Sequence, residues 1–333
     1  MSDSQLAGLA AVLAAGVLQG AFMLPMKWTR GWAWENTWLV FAFTAYLLCP
    51  WILVLSAMPN VFRIYGATSP ATLAGTVAFG CGWGAGAVTF GLGVAAIGMA
   101  LGFAVILGTA AMAGTLIPLL VLPHAPWTGA RAACTAASLV LMLAGVAVCS
   151  FAGKWKEKDP RGGSYARGLG LCVVSGLLSS CGNLGFVFGA EIIARAQALG
   201  APQHLAPNAV WALMTLALFV ANAGYAALLL RRNRTSNLFA SPNAGRYTLY
   251  GALMGVMWMG GFVFYGPGAR ALGDLGPSLG WALLMSTMVM AANLLGLLTG
   301  EWTGAPAAAR RTLAAGLAIL LAAIVGLGYS NAL

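Results

Sequence analysis

The sequence predicts an all-α membrane protein of ten transmembrane helices, arranged as two inverted five-helix repeats. Three observations predict it. The composition is too apolar for a water-facing surface, since 60% of the 333 residues are hydrophobic and only 7% are charged. A soluble globular chain carries about 25% charged residues. The apolar residues also fall into runs of about 20, the length that a bilayer core demands of a helix. Finally, landmarks of the first half recur in order in the second. This composition excludes a disordered chain, a secreted disulfide scaffold and an ordinary cytosolic enzyme.

The runs cover 6–26, 37–58, 72–93, 97–121, 130–152, 168–190, 208–230, 247–267, 277–299 and 312–331. The first has an acidic lead from Met1 to Gln5 and no small-residue cleavage pattern before Lys27. It is expected to be a retained helix and not a signal peptide. Little more than Val94 to Ala96 separates the third and fourth runs, which predicts a tight hairpin. The longest breaks, 153–167, 191–207 and 231–246, do not read as extramembrane domains. A membrane β-barrel would show alternating stretches of about ten residues, and unbroken runs such as Leu169 to Ala190 exclude it. The 45 glycines are about twice the usual share and suit closely packed membrane helices. Cys49, Cys81, Cys134, Cys149, Cys172 and Cys181 all lie within apolar runs without a C-x-x-C pair. They read as small buried hydrophobes and not as metal ligands or disulfides.

Charge orients the chain. Breaks after the odd-numbered helices hold 13 of the 17 basic residues, including Lys27, Arg30, Lys154, Arg167, Arg231, Arg246 and Arg310. The opposite side holds Arg63, Arg131, Arg195 and Arg270. Loops rich in Lys and Arg stay in the cytoplasm, so both termini are expected outside an inner membrane. The net charge of +10 is then an orientation signal, and no nucleic-acid partner is expected.

The repeat is visible residue by residue. Gly8, Gly16 and Gln19 of helix 1 correspond to Gly168, Gly176 and Ser179 of helix 6, 160 positions on. Trp83, Gly86, Phe90 and Gly93 correspond to Trp258, Gly261, Tyr265 and Gly268 at an offset of 175. Gly102, Phe103 and Thr109 correspond to Gly280, Trp281 and Thr287 at an offset of 178. Arg131 and Ser150 correspond to Arg311 and Ser330 at an offset of 180. The monotonic rise fits a duplication with small insertions. The repeats are expected over 1–153 and 168–333, with a cytoplasmic linker over 154–167. Five helices is an odd number, so the second copy enters the membrane upside down. Inverted repeats are a transporter architecture, with the substrate site near the midplane between them.

Several stretches resemble the L-rhamnose–proton symporter family, within the drug/metabolite transporter superfamily. They are Pro25-Met26-Lys27 with Trp32 to Trp38; Trp83 to Gly86 through Phe90-Gly91-Leu92, Gly98-Met99, Gly108-Thr109 and Gly114-Thr115-Leu116 with Pro118; Met257-Trp258 with Phe262 to Tyr265 and Gly268-Ala269-Arg270; and Glu301-Trp302. Ala87, Thr89, Phe90 and Gly261 depart from the more polar pattern of that family. The resemblance implies uptake of a small neutral sugar, rhamnose-like, together with protons and by alternating access. The alternative is a metabolite exporter, or a uniporter or facilitator, of the same superfamily. No cofactor and no metal are expected. The chain contains no nucleotide-binding Gly-x-x-x-x-Gly-Lys-Ser/Thr motif, no metal-spaced His/Cys/acid cluster and no membrane-depth histidine for an enzyme triad.

A sugar site needs aromatic faces for C–H surfaces, and amides or hydroxyls for the OH groups. Trp83 with Phe90 and Trp258 with Tyr265 are each seven residues apart, nearly two helical turns, so each pair shares a face. Phe103 and Trp281 form the matching pair on the next helices. Helix packing is the alternative role for all six. Among the amides, Gln19, Asn183 and Asn293 are candidates for substrate contact, with interhelical hydrogen bonding as the alternative. Proton coupling is less defined, because the seven acids all avoid helix centres. Candidates are Glu191, which an ion pair with Arg195 would also explain; Glu35, which a gate or topology role would also explain; and His124 and His204, whose type titrates near neutral pH.

Overall fold

The computed structural model describes residues 2–97, 99–121, 128–156, 165–274 and 276–333. Among them every regular element is helical. In chain order these are α1 (Asp3–Ala21), α2 (Trp34–Ala42), α3 (Cys49–Ala57), α4 (Val61–Gly66), α5 (Pro70–Ile97), α6 (Met99–Val121) and α7 (Gly129–Lys156). They are followed by α8 (Tyr165–Phe188), α9 (Ala190–Ala198), α10 (Asn208–Asn233), α11 (Ala244–Ala271), α12 (Gly276–Leu298) and α13 (Ala307–Ala332). A π turn, Phe43–Leu48, joins α2 to α3, and the three run on as one span, Trp34–Ala57. Nine stretches of the described residues are long and apolar enough to cross a membrane, and Val105–Val121 within α6 is a shorter apolar one.

Local chemistry sets the helix ends. Ser2 caps α1: its hydroxyl accepts from the Gln5 N–H while the Gln5 side chain accepts from the Ser2 N–H. This reciprocal box satisfies two donors that the first turn leaves open. Pro25 cannot continue the helical hydrogen bonding, and the chain passes into a 3-10 turn, Leu24–Trp28. Pro70 opens α5, where the missing N–H costs nothing. The chain leaves α10 through Arg234, a left-handed residue with φ 55°. Pro118 and Pro267 lie inside α6 and α11, as membrane helices tolerate.

Two expectations need correction, and one of the breaks between runs proves partly helical. Val94–Ala96 does not link the third and fourth runs, because nothing in that stretch ends a helix and α5 continues through it to Ile97. The break 191–207 is not all loop. It contains α9, whose Ile192, Ile193 and Ala196 are buried, while Arg195 faces out and forms a 3.6 Å ion pair with the half-buried Glu191. This is a short amphipathic helix that follows α8 directly and falls within the apolar stretch Ala166–Ala198. Finally, Cys81 is exposed, whereas Cys149 and Cys172 are buried and the remaining three are half-buried. All six are free thiols, and Cys81 is a small apolar residue on the outward face of α5.

The helices pack in a defined pattern. α1 lies on α11 and α12, α8 on α5 and α6, α10 on α5 and α2, and α7 on α13. Glycine permits the closest of these approaches. A Cβ on Gly8 would stand 2.8 Å from the Ala271 Cβ, and one on Gly20 would stand 2.6 Å from the Met288 carbonyl oxygen. Outward-pointing Leu120, Val140, Val220, Leu249 and Leu298 are exposed, as a lipid-facing surface requires. The main buried core runs through the middle of the molecule, and a second cluster around Val146, Cys149, Leu313 and Leu320 joins α7 to α13.

Candidate functional site

The centre of the core is aromatic. Trp83 of α5 meets Trp258 of α11 at 5.6 Å between ring centroids and Phe262 at 5.3 Å. Trp258 also packs on Tyr46, which the π turn carries inward, at 4.8 Å. Trp211 of α10 stacks on Phe186 of α8 at 4.8 Å with the planes 2° apart, and touches Phe262 at 4.7 Å. Tyr265 continues the cluster to Phe186 at 5.7 Å and to Trp281 of α12 at 5.8 Å. Five long helices and the π turn thus converge on one set of rings.

Polar groups border these rings. Asn183 of α8 is fully buried. Its amide donates to the Gly114 carbonyl at 2.8 Å and to the Pro277 carbonyl at 2.9 Å. Its oxygen accepts from the Tyr265 hydroxyl at 2.6 Å. One side chain therefore ties α8 to α6, α11 and α12. Gln19 of α1 donates to the Trp258 carbonyl at 2.8 Å. Gly261 makes room for it, because a Cβ there would stand 2.7 Å from the Gln19 amide nitrogen. The space that a side chain at 261 would take is filled by the Gln19 amide reaching over from α1. The Trp281 indole donates to the Ala110 carbonyl at 3.1 Å. The Trp211 indole nitrogen and the hydroxyls of Thr115 and Thr287 are buried without a hydrogen-bond partner among the described residues.

Among the described residues the acids lie at or beyond the ends of helices. Glu35, in the first turn of α2, is buried. It accepts from the Asn233 amide at 2.9 Å and the Thr235 hydroxyl at 2.7 Å, locking α2 to the end of α10. Glu191 accepts from the Ser69 hydroxyl and backbone N–H, at 2.7 and 3.0 Å, and from the Thr72 hydroxyl at 2.6 Å. It thereby holds the start of α5. At the end bearing most of the basic residues, Lys27 pairs with Glu301 and donates to the Thr299 hydroxyl at 2.6 Å.

Of the residues singled out from sequence, the structure brings Trp83, Trp258, Tyr265, Trp281 and Asn183 into this cluster, with Gln19 against its Trp258 edge. Phe90 is half-buried further along α5. Asn293 is half-buried and donates back to the Val289 carbonyl of its own helix at 2.9 Å. His204 is exposed in the turn before α10. The Phe103 side chain and the whole of His124 lie outside the described residues. Sequence reasoning missed Trp211, Phe186 and Tyr46. Trp211 carried a weak signal, an aromatic donor early in an apolar run just after Pro207 and Asn208.

Fold and site together define a multi-pass, all-helical membrane protein with a buried aromatic centre. The chain matches the model of the family described as L-rhamnose-proton symport protein (RhaT) over residues 1–331. It is 28% identical to the L-rhamnose-proton symporter of Cronobacter sakazakii over 345 residues, covering 99% of this chain and all of the relative. The L-rhamnose-proton symporters of Yersinia pestis and Yersinia pseudotuberculosis are likewise 28% identical over 347 residues, with the same coverage. The chain belongs to the L-rhamnose-proton symport protein family, a family of transporters and not of enzymes.

Proposed function

We propose that this protein is a secondary transporter that imports a small neutral sugar, rhamnose-like, with protons by alternating access. The observation that carries the reading is the family match over residues 1–331. The aromatic centre bordered by Gln19, Asn183 and unpaired donors supports it, because it offers the flat apolar faces and sparse hydrogen-bonding groups that a sugar needs. Trp83, Trp258, Tyr265 and Trp281 would supply faces, with Phe90 and Asn293 at the periphery, and Phe103 remains a candidate from the sequence repeat. Glu35 is the favoured proton carrier: it is buried, and its hydrogen-bond donors, Asn233 and Thr235, are neutral. Glu191 is the second, and His124 and His204 are the remaining candidates.

The architecture that goes with this reading has ten membrane helices, α6 being the tenth, in inverted halves 1–153 and 168–333 joined by a cytoplasmic linker over 154–167. Matching contacts support it. A Cβ on Gly16 would clash with the Thr287 Cβ, and a Cβ on Gly176 would clash with the Thr109 Cβ, each at 2.5 Å. These are corresponding residues in the sequence repeat. Likewise Gly93 abuts Cys172 and Gly268 abuts Val12, again at corresponding positions. α1 packs on α11 and α12 as α8 packs on α5 and α6. The exchange of partners between halves is what a twofold axis in the membrane plane produces. This reading also places the chain in the drug/metabolite transporter superfamily, with both termini outside the inner membrane.

The test is uptake of radiolabelled L-rhamnose into proteoliposomes with and without an inward proton gradient. The gradient is expected to drive accumulation. Uptake that equilibrates without responding to the gradient would replace symport with facilitated passage, and no uptake would remove L-rhamnose as substrate.

A further inference from the structure

Among the described tryptophans Trp211 is the one with no exposed surface, yet its indole N–H has no acceptor among the described residues. Trp32 pairs its indole with the Leu238 carbonyl, Trp38 with the Asn222 oxygen and Trp281 with the Ala110 carbonyl; the Trp51 indole nitrogen is also buried without an acceptor among the described residues, but it lies outside the aromatic centre, against Phe62. An indole N–H can only donate, and a buried donor left alone is costly. Native proteins rarely keep one without a reason.

Its surroundings supply the reason. Trp211 belongs to the aromatic centre: its ring lies 6.3 Å from Trp83, 4.7 Å from Phe262 and 6.2 Å from Tyr265. The stack on Phe186 fixes the plane of the indole. Its N–H edge abuts Gly266 of α11, where a Cβ would stand 3.3 Å from the indole nitrogen and 2.7 Å from the Pro207 Cβ. The donor edge therefore faces the bare backbone of Gly266, beside the apolar Pro207 ring, and neither of these offers a side-chain acceptor. Any separation of α10 from α11 opens that donor to the space between the rings.

We infer that Trp211 is a specificity-determining residue whose indole N–H donates to one oxygen of the bound sugar, a hydroxyl or the ring oxygen, while the surrounding rings cover its C–H surface. This rests on the sugar-transport reading. A site that holds a dedicated donor discriminates strongly against analogues lacking the acceptor, because the donor is then left unpaired.

The experiment measures equilibrium binding of L-rhamnose and its monodeoxy analogues to the purified full chain, as wild type, as Trp211→Phe, and with the benzothiophene isostere of tryptophan placed at 211 alone. The isostere keeps shape and stacking and removes only the N–H, so it stays informative if Trp211→Phe does not fold. We expect each folded variant to bind L-rhamnose roughly three- to tenfold more weakly, as the loss of one hydrogen bond implies. If the acceptor is a hydroxyl, one deoxy analogue should lose the same factor with wild type and lose nothing further with the variants. If it is the ring oxygen, all the deoxy sugars should weaken equally in the variants. Wild type that binds L-rhamnose while the isostere binds it equally well would overturn the donor role alone. Wild type that binds none of the sugars would overturn the transport reading and this role with it.

Discussion

Tyr265→Phe tests whether the aromatic centre is held by the hydrogen bond on which this account relies. The change deletes one oxygen and keeps the ring in contact with Phe186, Phe262 and Trp281. Tyr265 and Asn183 are both fully buried, and the hydroxyl donates to the Asn183 oxygen at 2.6 Å. Its other acceptor, the Pro277 carbonyl, is at 3.5 Å, the limit of a useful bond. Removing the hydroxyl leaves the amide oxygen without that donor. Stranding a buried acceptor costs about 1–3 kcal/mol in general, whereas bonds between membrane helices average about 0.6 and reach about 1.7 kcal/mol. A short bond with both ends desolvated belongs at the upper end of the membrane range, so we expect a loss of about 1–1.7 kcal/mol. That is roughly a five- to twentyfold fall in the folded-to-unfolded ratio. The assay is equilibrium unfolding in detergent micelles, repeated with Asn183→Ala and with the double variant. The coupling between the two sites should account for most of the single loss. A loss under about 0.3 kcal/mol, or no coupling with Asn183, would refute the reasoning that this bond organises the centre.

Other expectations follow from the same contacts. Gly16→Leu and Gly176→Leu should each lower the yield of monodisperse protein and abolish uptake, since overpacking costs about 1–3 kcal/mol. Equal behaviour of the two would also support the proposed symmetry. Glu301→Lys should slow uptake and Lys27→Glu with Glu301→Lys should restore it in a transport assay, while Tm shifts little, because a half-exposed pair contributes about 0–1 kcal/mol. Glu35→Ala frees Asn233 and Thr235 and should expose 231–246 to limited proteolysis; an unchanged cleavage pattern would show that the lock is idle. A reporter fused after Leu333 should be accessible from outside intact cells, and a cytoplasmic signal would reverse the proposed orientation.

The features legible in the sequence were the local or repeated ones. Apolar runs report helices because a bilayer imposes length and composition directly on each span. Trp83, Trp258, Tyr265 and Trp281 could be placed together because the repeat pointed to equivalent faces, and Asn183 stood out because an amide is costly at that depth. Trp211 and Phe186 were not legible: each is one more aromatic in an apolar run, and what distinguishes them is a stack between helices 25 positions apart in sequence. α9 was hidden for a different reason, since a nine-residue amphipathic helix is shorter than the window in which a span is sought. The bonding of Asn293 within its own helix depends on which way α12 is turned, and periodicity does not fix that in a helix apolar on every side.

The glycine contacts of α1 have a mechanical consequence. Where large side chains interlock, sliding one helix past another means lifting each knob out of its hole. Along α1, Gly8, Gly16 and Gly20 present bare backbone to α11 and α12, so the seam has shallow corrugation and shear meets few steric ridges. Gln19 on Trp258 is a single polar detent on that otherwise smooth track. A seam of this kind favours sliding between well-defined rest positions over bending of the helices themselves.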